Sequence, residues 1–75
     1  MNKNELKAEM LRNGDNNESL AAALGISKVS ISKKLNAKKD FKQTEIRIIR
    51  ERYRLTGDDL IRIFFAPQVS KVETF

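Results

Sequence analysis

Gly25 stands between two short apolar patterns, and that arrangement constrains the fold more than any other feature of the chain. Before it, Leu20, Ala21 and Leu24 recur at helical spacing; after it, Ile31 and Leu35 recur behind Ser27. Glycine ends a helix cheaply because it takes left-handed dihedrals, and a serine caps the next one. Residues 16–39, NNESLAAALGISKVSISKKLNAKK, are therefore expected to form two short helices joined by a tight turn. Their inward faces would be Leu20, Ala21 and Leu24 on the first and Ile31 and Leu35 on the second, with Ile26 between.

The rest of the chain is punctuated in the same way. Glycine recurs only at Gly14 and Gly57, proline only at Pro67, and strong helix formers fill the intervals. An all-α domain of five short helices follows, over residues 1–66, with a tail over 67–75. The first helix is expected over 4–12, capped by Asn2 or Asn4, with Leu6 and Met10 inward and Leu11 beside them. The second spans 17–24, capped by Asp15 or Asn16, and the third spans 28–36, capped by Ser27. The fourth spans 43–54, with Ile46, Ile49 and Tyr53 inward and Phe41 stapled onto Ile46. The fifth starts after Thr56. It carries Leu60, Ile61, Ile63, Phe64 and Phe65, more apolar surface than one amphipathic face needs. One side of it should pack on the first and fourth helices. The other side suggests a partner surface, most simply a second copy; the alternative is that the tail folds back over it. Val69, Val72 and Phe75 in the tail are compatible with a strand, a covering arm or disorder.

Seventy-five residues allow one modest core, since a chain this short buries only about 60% of its unfolded surface. With no cysteine and no histidine there is neither a disulfide nor a thiolate or imidazole metal site. No carboxylate pair lies in an apolar frame, and Ser27, Ser30 and Ser32 have no base to activate them. Glu5, Glu9 and Asp15 are better explained as helix surface and cap than as metal ligands. An enzyme is not expected, nor a cofactor or small-molecule substrate. No apolar run approaches a membrane span, and MNKNELKAEM has no signal-peptide core, so a cytoplasmic protein is expected.

Charge narrows the choice of partner. The formal net charge is +5, and residues 25–44 carry six lysines against Asp40 alone. No acidic residue occurs between Glu18 and Asp40. A solvated basic face has the same composition, but an ordinary exposed helix mixes the two signs. A polyanionic partner accounts better for the excess. Arg47, Arg50 and Arg54, along the fourth helix, are expected to be solvated rather than bound to phosphate.

Leu20-Ala21, three residues, Gly25-Ile26-Ser27, and then Ile31 and Asn36 together resemble the helix-turn-helix of the Cro and lambda-type phage repressor family. The resemblance covers residues 4–66. It implies a lambda-repressor-like five-helix domain that binds operator DNA as a homodimer. More narrowly, the chain is similar to small phage-encoded regulators of Gram-positive hosts. The family often has glycine after the Asn that closes the third helix. Here Ala37 stands there, so Asn36 is expected to take the left-handed turn. Lys42 stands where a Ser or Thr cap is common, and Asn17 where glutamine is.

The resemblance places base reading on Lys28, Val29, Ser32 and Lys33. Asn17, Ser27, Ser30, Asn36, Lys38 and Lys39 are better placed for phosphate. Leu60, Ile61, Phe64 and Phe65 are the expected dimer contacts. Repression in a lysis–lysogeny type of switch is implied by the resemblance alone. A reading of a different class stays open, in which the helix-five face pairs with another phage repressor and the chain acts as a modulator or antirepressor.

Overall fold

Ten side chains, nine from every helical segment but one and Leu55 from the link after α4, meet in a single apolar cluster, which arranges the helices around it. Leu6, Leu20, Ile31, Leu35, Ile49 and Ile63 are fully buried, joined by Met10, Ala21, Tyr53 and Leu55. The computed structural model describes residues 1–65. The helices are α1 (Lys3–Arg12), α2 (Asn17–Leu24), α3 (Lys28–Leu35), α4 (Gln43–Tyr53) and α5 (Gly57–Leu60), the last running into a π-helical turn over Ile61–Phe65. The domain is all-α, as expected, and no strand occurs among the described residues. No helix there is long and apolar enough to cross a membrane.

Polar side chains cap four of the five helices. Asn2, Asn16, Ser27 and Thr56 accept backbone N–H groups from residues three places on, at α1, α2, α3 and α5 respectively. Reciprocal bonds complete two of these starts. The Ser19 hydroxyl accepts from Asn16 N–H, and the Asp59 carboxylate from Thr56 N–H. Lys42 supplies no side-chain cap to α4. The Glu45 carboxylate instead accepts from the Lys42 N–H at 2.8 Å, which satisfies one donor of that first turn.

The helix ends follow one pattern. After α1, α2, α3 and α4 a single residue turns left-handed: Gly14, Gly25, Ala37 and Arg54. The next N–H then reaches back five residues, from Asp15 to Met10, Ile26 to Ala21, Lys38 to Lys33 and Leu55 to Arg50. This closure satisfies carbonyls that a helix end otherwise leaves without partners. It also corrects the expectation for Asn36, which stays at φ −95° while Ala37 takes φ 60°. Asn36 instead donates its side-chain amide to the Ser32 carbonyl, back along α3. The carbonyls at the end of α3 need the bend one residue later, so the strain falls on a residue with a Cβ. Ala37→Gly should therefore raise stability by up to about 1 kcal/mol. Urea unfolding measures this, and a loss of stability would contradict the geometry.

Other boundaries move slightly. α1 begins at Lys3, α3 ends at Leu35 and α4 at Tyr53. Leu11 is 81% exposed and takes no part in the core. Glu9, expected on the surface, is buried. It accepts from Arg12 and, at 3.4 Å, from Arg62, which also bonds Glu5 and Asp59. Together with an Asn2 N–H donated to the Ile63 carbonyl at 2.7 Å, this network fastens the π turn to α1. α1 is thus the main helical partner of that turn. Phe64 turns instead to Phe41, edge to face with centroids 5.8 Å apart. Phe41 and half-buried Ile46 line one cleft with Phe64 and Phe65. Ala66 and the tail, with Val69, Val72 and Phe75, lie outside the described residues.

Candidate nucleic-acid interface

α3 presents two unlike faces. Ile31, Lys34 and Leu35 are buried; Lys28, Val29 and Lys33 are exposed, and Ser32 is half-buried. At about 100° per residue the last four fall within an arc of about 140°. The structure thus brings all four base-reading candidates onto one stripe. The stripe carries two ammonium groups, one hydroxyl and one apolar side chain, Val29, which is 65% exposed. An exposed valine between lysines gains nothing from the core and is free to meet another apolar group.

α2 supports this stripe from behind. It packs on α3 across the turn made by Gly25, at φ 71°, Ile26 and Ser27. Its own start is held at a distance in sequence. The Asp15 carboxylate accepts from Arg52 Nε and Nη2 at 2.7 and 2.8 Å, from the Tyr53 hydroxyl at 2.6 Å and from the Ser19 hydroxyl at 2.6 Å. Asp15 is therefore no cap; Asn16 fills that role, and Asp15 ties the front of α2 to the end of α4. The bidentate Arg52 guanidinium outweighs the opposing effect of burial and holds the Asp15 carboxyl well below the usual range. Burial first, and then the neighbouring Asp15 carboxylate, push the Tyr53 hydroxyl up.

The phosphate candidates divide into two groups. Asn17, Lys38 and Lys39 are exposed, and neither lysine makes an ion pair among the described residues. The side chains of Ser27 and Asn36 are engaged locally, and Ser30 contributes its backbone N–H. The Ser27 oxygen caps α3 by accepting Ser30 N–H at 3.1 Å, and Ser30 is half-buried. Asn36 bonds Ser32 and also accepts from Lys7 Nζ at 3.5 Å. A Ser27 hydroxyl serving as cap acceptor still has its proton to donate.

Three residues here escaped the sequence reading. Lys7 of α1 reaches α3 and lines an open groove with Met10, Leu11, Asn17, Glu18 and Lys28. Its signal was a cation beside the inward Leu6 and Met10 on a helix taken only as support. Glu18 lies 3.8 Å from Lys28, both well exposed, so one base-reading candidate has an acidic neighbour that sequence distance concealed. Lys34, counted in the basic block, is buried and points inward. Its Nζ lies 2.6 and 2.7 Å from the two Glu45 oxygens. Burial alone raises the Glu45 carboxyl, but Lys34 and the Lys42 N–H reverse this and leave it below its ordinary value.

Asp15 and Glu45 thus bind protons less readily folded than unfolded. Their contribution is fully present above about pH 5 and is lost as pH falls below about 4. The urea midpoint should drop steeply between about pH 4 and pH 2. A midpoint flat over that interval would show that neither carboxylate stabilises the fold.

Comparison of the chain with protein-family models, with curated proteins and with solved structures finds no match.

Proposed function

We propose that this chain is a sequence-specific binder of duplex DNA that lays α3 in the major groove. The observation that carries this reading is the outward stripe of Lys28, Val29 and Lys33, with half-buried Ser32 among them, on a helix whose other face is buried. Lysine donates to guanine O6 and N7, serine donates or accepts, and valine suits a thymine methyl. Lys38 and Lys39, in the loop after α3, suit phosphate oxygens, which fix register without reading sequence. Asn17 and the N–H groups at the start of α2 add anion preference there.

Within that class the particular reading is a small Cro-like phage repressor that acts as a homodimer on a two-fold operator. Its half-sites would lie about 34 Å apart on one face of the duplex. Of the four expected dimer residues, Leu60 and Phe64 pack partly against the domain's own core, while Ile61 and Phe65 are 57% and 60% exposed. The exposed pair is spaced four residues apart and is the part left for a second copy. The same pair supports the second reading, docking on another repressor.

Selection of bound duplexes from a random pool tests the proposal. An enriched palindrome is expected, with affinity falling steeply as salt rises, because bound phosphates release counterions. Absence of DNA binding unless a partner protein is added would overturn it in favour of the modulator.

A further inference from the structure

The buried Lys34–Glu45 pair spans the base of the loop that carries Lys38 and Lys39. Lys34 is the penultimate residue of α3, Glu45 lies in the first turn of α4, and their side chains are 4% and 7% exposed. Glu45 Oε1 also accepts the N–H of Lys42, the last loop residue, at 2.8 Å. The Phe41 ring, 6.0 Å from Lys34 Nζ, closes the site and leans on Phe64. At the other end of the loop, Ala37 N–H bonds the Lys34 carbonyl and Lys38 N–H the Lys33 carbonyl. Lys38 stands at the first of these anchors, with Lys39 and Asp40 between the two, and all three are exposed.

An ion pair removed from water is a poor way to gain stability, because desolvation offsets the attraction and an apolar pair of similar volume often does as well. What it does supply is direction. Two oxygens on one ammonium, with a third bond to the loop backbone, allow one arrangement of α3, loop and α4.

We propose that Lys34 and Glu45 are positioning residues, holding the α3–α4 loop so that Lys38 and Lys39 meet the phosphate backbone in register with α3. This rests on the DNA-binding reading. The pair touches no DNA itself. It keeps the two loop lysines from spending freedom on binding, since a loop ordered beforehand loses less entropy when it engages.

The test is the double variant Lys34→Met with Glu45→Leu, which leaves the net charge unchanged. Three quantities are measured: urea stability, the salt dependence of binding to random-sequence duplex, and amide order parameters of residues 38–41. The expected result is near wild-type stability, a several-fold weaker affinity for any duplex, and a salt slope lower by about 2, one for each lysine released. Discrimination between operator and random DNA stays as it was, and the order parameters fall. A double variant of full stability with wild-type salt slope and order parameters overturns the proposal, because the pair would then be structural only. If the double variant unfolds, Glu45→Asp serves instead; it keeps the charge and shortens the reach by one methylene, and the same outcomes decide. If the wild-type chain binds no DNA, the functional reading fails. The order parameters then decide alone whether the pair holds the loop: unchanged values refute it.

Discussion

Glu45→Ala should destabilise the domain by about 3–5 kcal/mol, the cost of leaving one member of a buried pair without its partner. Lys34 is 3% exposed and its Nζ has both Glu45 oxygens as acceptors, so its charge would lose its counterion where water has little access. The α4 start would also lose its only reciprocal bond, since Lys42 offers no side-chain cap. Small domains are marginal, with total stability commonly about 5–15 kcal/mol, so this single change should leave a large unfolded fraction. Chemical denaturation measures it. A loss under about 1 kcal/mol would mean that the ammonium finds water or another acceptor, and that Lys34 is not confined as the geometry has it. An exposed acidic residue such as Glu51 makes the comparison, and its replacement by alanine should change stability by no more than about 0.5 kcal/mol.

Lys33→Ala and Lys39→Ala should separate in kind rather than in size. Lys33 stands on the outward stripe of α3, where a lysine that donates to a guanine contributes about 1–3 kcal/mol of discrimination. Its loss should lower the ratio of operator to random-DNA affinity by about five- to a hundredfold. Lys39 stands in the loop, and its loss should weaken operator and random duplex alike, with the salt slope falling by about 1. Parallel titrations on both duplexes at several salt concentrations give the comparison. If both variants lost affinity without losing discrimination, the division between base and phosphate contacts would be wrong.

Much of the local architecture was legible because it depends on neighbours in sequence. Asn16, Ser27 and Thr56 cap within three residues, and Gly14 and Gly25 mark two of the four left-handed bends. The other two bends fall on Ala37 and Arg54, which carry no such mark. There the need to satisfy the end of a packed helix overrides the preference of the residue. The apolar spacing of Leu20, Ala21, Ile31 and Leu35 was enough to place the inward faces of α2 and α3, and with them the outward stripe of the candidate interface.

Long-range polar contacts were not legible in the same way. Asp15 reads as a cap until the end of α4 arrives beside it with Arg52 and Tyr53. Lys34 reads as one more surface lysine until α4 brings Glu45 to it. Glu9 reads as exposed until the π turn presents Arg62. In each case a charged side chain can lie inside or outside, and only a partner many residues away decides which, because burial without that partner is costly.

The sequence by itself thus determined the five-helix course, the turn at Gly25 and the side of α3 that faces outward, since spacing and caps act over a few residues. Tertiary structure alone decided which of the lysines around that turn are available to a partner. It buried Lys34 against Glu45, set Lys28 beside Glu18, brought Lys7 to the end of α3 and left Lys33, Lys38 and Lys39 in the open. The physical reason is that a charge is assigned its role by the solvent and counterions around it, and those are supplied by the packing of distant segments.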